Sequence, residues 1–88
     1  MANEEIVHAL ASPRSALRAV LLLLLEERRG HGYELLTRLE PFGFTRANPG
    51  RIYRALRWLE DGGLVSATWE TGSGGPAQRV FEVTPDGR

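Results

Sequence analysis

The sequence predicts a mainly α-helical domain closed by a small β-hairpin, in the order of a winged helix-turn-helix. Three observations carry this. Successive helical stretches with apolar stripes occupy the first two thirds, two of them meeting across a short connection. Two alternating runs around a glycine-rich loop follow. The charge is also segregated, since six of the eleven acids lie at or before Glu40 while residues 41–59 hold four arginines and no acid.

Composition sets the limits. A chain of 88 residues fits one small domain, which buries only about 60% of its unfolded surface. At 42% hydrophobic and 25% charged residues it reads as globular rather than disordered. The absence of cysteine excludes disulfides, thiol nucleophiles and thiolate metal sites, and fits a reducing, cytoplasmic location. The formal net charge is zero, which by itself argues mildly against a nucleic-acid binder; the segregation argues the other way.

Residues 4–10 make two helical turns with Ile6, Val7 and Leu10 on one stripe, and residues 1–12 are expected to form a helical extension to a winged-helix domain at 13–88. Ser12 and Pro13 read as N-cap and first residue of a second helix running to about Arg29. Gly30 is expected as its left-handed stop, and the arginines before it suit the negative end of the helix dipole. The run AVLLLLL inside this helix is too short to span a bilayer, and EERR follows it where a signal peptide would have small residues. It reads as a buried core helix.

HGYELLTRLEPFG predicts a third helix from near Gly32 to just before Pro41, with Tyr33, Leu36 and Leu39 as its apolar stripe. The fourth runs from Pro49 to about Asp61 and stops at Gly62 and Gly63. LVSATWE and QRVFEVT are strand-like and are joined by the hairpin loop TGSGGPA.

NPGRIYRALRWLEDGGLV holds the chemistry. At about 100° per residue Ile52, Leu56 and Leu59 form a stripe with Ala55 at its edge, which places Arg51, Arg54 and Arg57 on the opposite side. Guanidinium groups in such a row suit phosphates and guanine edges. Asn48 caps the helix, Pro49 takes its first position, and Gly50 lets a phosphate approach the free amides at the positive end of the dipole. The alternative is a solvated face partly paired with Glu60 and Asp61. In the loop, a glycine-rich tip followed by Arg79 suits a backbone contact, although such tips are commonest as plain turns. Trp58, flanking the arginine face, is expected to be half-buried.

HGYELLTRLE, NPGRIYRALRWLEDGGLV and GGPAQRVFEVTPDGR, in this order and spacing, resemble successive signatures of the PadR family of transcriptional regulators. The resemblance covers roughly residues 14–88. It implies a winged helix that binds operator double-stranded DNA as a homodimer, usually as a repressor released by a small-molecule effector. Carried over by position, the recognition-helix residues are Asn48, Gly50, Arg51, Tyr53, Arg54 and Arg57, and the wing residues, within 71–79, are Gly75, Pro76 and Arg79. His31, Gly32 and Tyr33 match the start of the preceding helix, with Tyr33 a packing residue or phosphate contact.

The sequence departs from the family pattern at Arg51, where threonine is usual, at Arg54, which replaces a common proline, and at Phe81, often tyrosine. TPDGR reads as the start of another helix, with Thr84 as N-cap. In the family a C-terminal helix follows there and supplies most of the dimer interface and often the effector cavity; the expectation is either a truncated chain or another mode of dimerisation.

An enzyme is not expected. His8 and His31 are isolated, and His31 with Glu34 gives two metal ligands at i, i+3 where a site needs more. GSGGP joins two strands and so does not cradle a phosphate as a strand-to-helix loop does. No catalytic residue, cofactor or metal is assigned. The competing reading is a winged helix that binds protein instead of DNA.

Overall fold

The computed structural model describes residues 13–44, 49–71 and 75–88. The expected helix at residues 4–10, the caps Ser12 and Asn48, and the first glycines of the hairpin tip lie outside them.

α1 (Pro13–Glu27) turns the leucine run into the spine of the core. Leu17, Leu21, Leu24 and Leu25 are buried and Leu23 faces outward, because 3.6 residues per turn cannot bring five consecutive leucines to one side. No helix among the described residues is long and apolar enough to cross a membrane. α1 ends two residues before the expected Arg29, and its stop is not a left-handed glycine. Gly30 instead begins a two-residue strand, β1 (Gly30–His31), and only Gly43 and Gly63 have positive φ among the described residues.

α2 (Gly32–Leu39) starts at a cap supplied by His31, whose Nδ1 accepts the Glu34 amide at 3.3 Å. Leu35 and Leu39 enter the core. Tyr33, expected in the apolar stripe, is 65% exposed; the buried side runs one position earlier, through Gly32 and Leu35 to Leu39. A 3-10 turn at Glu40–Phe42 carries the chain past Pro41, and Gly43 at φ 88° closes it.

α3 (Pro49–Asp61) occupies the expected span and buries Ile52, Ala55, Leu56 and Leu59. Its end is a Schellman motif: Leu64 N–H donates to Leu59 O at 2.9 Å and Gly63 N–H to Glu60 O at 3.0 Å, with Gly63 at φ 77°. The chain then enters β2 (Val65–Thr71) and returns through β3 (Ala77–Val83), in antiparallel register from Val65 opposite Val83 to Thr71 opposite Ala77.

The sheet has the order β1-β3-β2, so β3 is central. Gly30 pairs with Phe81 and His31 with Val80. Phe81, Val83 and Val65 close the core from the sheet side. Each such buried side chain contributes about 1.5–3 kcal/mol of transfer free energy, so this single core holds the three helices against the sheet. The last residues form a 3-10 turn (Pro85–Gly87) capped by Thr84, whose hydroxyl donates to Gly63 O at 2.6 Å. A Cβ on Gly87 would lie 2.1 Å from Leu64 O, so only glycine fits beside the end of α3.

Candidate nucleic-acid interface

α3 presents its arginines because its apolar residues are spent inward. Ile52, Leu56 and Leu59 are fully buried; Arg51, Arg54 and Arg57 are exposed on the other side, as their phase requires. Pro49 and Gly50 open the helix and are both exposed. Arg57 lies 3.4 Å from Asp61, an exposed i, i+4 pair. Glycines 62 and 63 end the helix before it reaches further acids.

One flank of α3 faces the sheet and the start of α2. Tyr53 leans over Gly32, where a Cβ would sit 2.4 Å from the phenol oxygen, and its ring lies 6.5 Å from that of Phe81. Gly32 is therefore a glycine by close approach, and Tyr53, 41% exposed, is wedged between the helix-turn-helix and the sheet. Further along, Glu60 accepts a hydrogen bond from Arg79 at 2.6 Å, and the Arg79 guanidinium lies 5.6 Å above the Phe81 ring. Arg79, the expected wing contact, thus ties the wing to α3. It sits within β3 opposite Trp69, not at the tip.

The opposite flank meets the first turns of α1. Arg51, Arg54, Ala55 and Trp58 from α3 line a groove with Arg14, Leu17 and Arg18 from α1. The Arg18 guanidinium stacks 3.8 Å over Trp58, and about half of the Trp58 surface remains exposed, close to the expectation. Among the described residues no carboxylate lines this groove.

Tyr33 stands exposed at the start of α2, and β1 holds that start beside Val80 of the wing strand. The structure therefore brings Tyr53 and Arg79 together around Phe81, with Gly32 beneath the Tyr53 ring, while Arg51 and Arg54 face α1. Gly75 and Pro76 are exposed where the wing begins its return, and a Cβ on Gly75 would meet nothing, so packing does not demand glycine there. Asn48 lies outside the described residues.

Sequence reasoning overlooked three residues here. Trp69 shares its strand phase with Val65 and Ala67 but extends past the core and is 71% exposed; that phase and its size were the available signal. Arg18 is readable only once α1 and α3 are packed together. Arg38 is the third. Its side chain is 9% exposed and donates to Arg28 O at 3.2 Å and to Leu24 O. It supplies the cation at the C-terminal end of α1 that the sequence assigned to Arg28 and Arg29, which lie beyond that helix. Burial pulls its pKa below the ordinary arginine value, and Arg28 acts the same way against the opposing influence of Glu34 and Glu27. His31 and Glu34, weighed as metal ligands, are engaged with each other in the α2 cap.

Residues 20–88 match the family model described as the transcriptional regulator PadR-like family. A PadR-like transcriptional regulator from Bacillus cereus is 31% identical and superposes with a TM-score of 0.71, over 81% of this chain and 69% of that one. A transcriptional regulator from Thermoplasma acidophilum is 29% identical, with a TM-score of 0.73 over 84% of this chain and 71% of that one. The Bacillus subtilis PadR solved in complex with operator DNA is 21% identical; it shares the fold, with a TM-score of 0.72 over 85% of this chain and 44% of that one. No curated protein matches the chain. A match over most of the chain, the winged-helix order and the arginine-faced third helix agree: the chain belongs to the PadR-like family of transcriptional regulators, which are not enzymes.

Proposed function

We propose that this chain binds operator double-stranded DNA as a homodimer and represses transcription from the cytoplasm, with α3 entering the major groove and the wing at 71–79 tracking the backbone. The observation that carries this is the division of α3 into a buried aliphatic side and an exposed arginine side. In this reading Arg51, Arg54 and Arg57 read guanine edges and phosphates, Asn48 and Gly50 seat a phosphate at the helix start, and Tyr53 and Tyr33 contact the backbone beside them. Gly75 and Pro76 shape the wing. Arg79 contacts the backbone after yielding part of its contact with Glu60. Residues 1–12 form an extension outside the winged-helix domain at 13–88, and a small-molecule effector releases the DNA. The operator-bound B. subtilis PadR, which shares the fold, supports the DNA partner.

The test is a titration against DNA from the gene's own upstream region at two salt concentrations, with the mass of the complex followed by light scattering. Sequence-preferring, salt-sensitive binding by two chains is expected. Binding without salt dependence, or none, would favour the protein-interaction reading. Arg54→Ala is expected to cost about 1–3 kcal/mol of operator affinity with the thermal transition unchanged, and undiminished affinity would sink its assignment as a base or phosphate contact.

A further inference from the structure

We propose that Arg14 and Arg18, at the start of α1, form a second phosphate clamp: they hold the DNA strand on the α1 side of α3, across the major groove from the strand met by the wing. This rests on the reading of α3 as the helix that enters DNA. The major groove is about 12 Å wide, so a helix lying in it runs between two phosphate ridges, and each flank of the helix faces one of them. The wing flank of α3 is occupied by Tyr53, Phe81 and the Glu60–Arg79 pair. The α1 flank offers Arg14, Arg18, Arg51 and Arg54 around Trp58.

The chemistry of that flank is complementary to a polyanion. Four guanidinium groups line one groove, and among the described residues no acid contributes to it. None of the ion pairs among the described residues uses Arg14, Arg18 or Arg54; they are made by Arg28, Arg29, His31, Arg38, Arg57 and Arg79. Gathering like charges raises the energy of the free protein, and a row of phosphates reverses the sign of that interaction. Arg18 is also held in place. Its guanidinium carbon lies 3.8 Å from the Trp58 ring centroid, and its Nε is enclosed with no hydrogen-bond partner, so the ring and not an internal acceptor holds it. A stacked guanidinium keeps its remaining N–H donors in a fixed fork suited to phosphate oxygens.

The experiment compares the wild-type chain with Arg14→Ala, Arg18→Ala, the double variant, Arg14→Lys and Arg54→Ala. Each is titrated against the same DNA over a fourfold range of salt, and against duplexes carrying single uncharged methylphosphonates on either strand. The double variant is expected to lose about two phosphate contacts, so its affinity falls about tenfold less than the wild type's across that salt range. Sequence preference stays unchanged, Arg14→Lys keeps the wild-type slope, and methylphosphonates on one strand no longer weaken the double variant. Arg14 is exposed, so its substitution carries the test even if Arg18→Ala lowers the melting temperature. An unchanged salt slope and methylphosphonate pattern, in a chain whose binding Arg54→Ala still weakens, overturns the clamp alone. A wild-type chain without salt-dependent DNA binding overturns the clamp and the proposed function together.

Discussion

On the wing flank of α3 each cation has an internal partner, whereas on the α1 flank cations gather around an aromatic ring. Arg79 rests on Glu60 at 2.6 Å and over Phe81, and Arg38, deeper in the domain, is shared among two carbonyls and the carboxylates of Glu34 and Glu27. Arg14, Arg18 and Arg54, which make no ion pair among the described residues, instead line the groove beside Trp58. Both sets are arginines of one small domain. What separates them is the company each keeps: the first set stabilises the unbound fold, and the second is at lower energy when a polyanion arrives. A count of basic residues would merge the two.

The largest effect is expected at the most enclosed of the internally paired cations. Arg38→Ala leaves Leu24 O and Arg28 O without their donor at the end of α1 and removes a side chain that is 9% exposed. The expected cost is about 1–3 kcal/mol of folding stability, read by urea unfolding, with the salt slope of DNA binding unchanged. A shifted salt slope would move Arg38 into the other set.

The wing tie comes next. Glu60 and Arg79 are each partly exposed, so their direct interaction is worth about 1 kcal/mol after screening. A double-mutant cycle with Glu60→Gln and Arg79→Ala should show a stability coupling of about that size. Arg79→Ala should also weaken DNA binding about equally across sequences; a change in sequence preference would instead make Arg79 a base reader. Smallest is Arg57→Ala. Its pair with Asp61 is exposed on both sides, and stability should move by no more than about 0.5 kcal/mol, while operator affinity falls if Arg57 faces DNA.

The span of α3 was legible because its signals are local: proline at the start, a stripe at 52, 56 and 59, and paired glycines that form a Schellman end at Gly63. The two wing strands were legible for the same reason, through alternation and a glycine-rich loop. β1 was not. Two residues cannot show a period, and Gly30 resembles a helix stop until β3 is placed beside it. Tyr33 was misplaced into the apolar stripe because a one-residue change of phase moves a side chain by about 100° around the helix, and only the packed neighbours select the phase.

The sequence alone determined the helical and strand periods, the boundaries of the described helices to within a turn, and the sidedness of α3, since these depend on backbone geometry and residues a few positions apart. Tertiary structure decided which charges are matched. Arg38 reaches a carbonyl 14 residues away, Arg79 a carboxylate 19 residues away, and Arg18 a ring on another helix. Coulomb and stacking energies fall off over a few ångströms in space, whatever the separation along the chain, so an arginine's role follows from what the fold sets beside it.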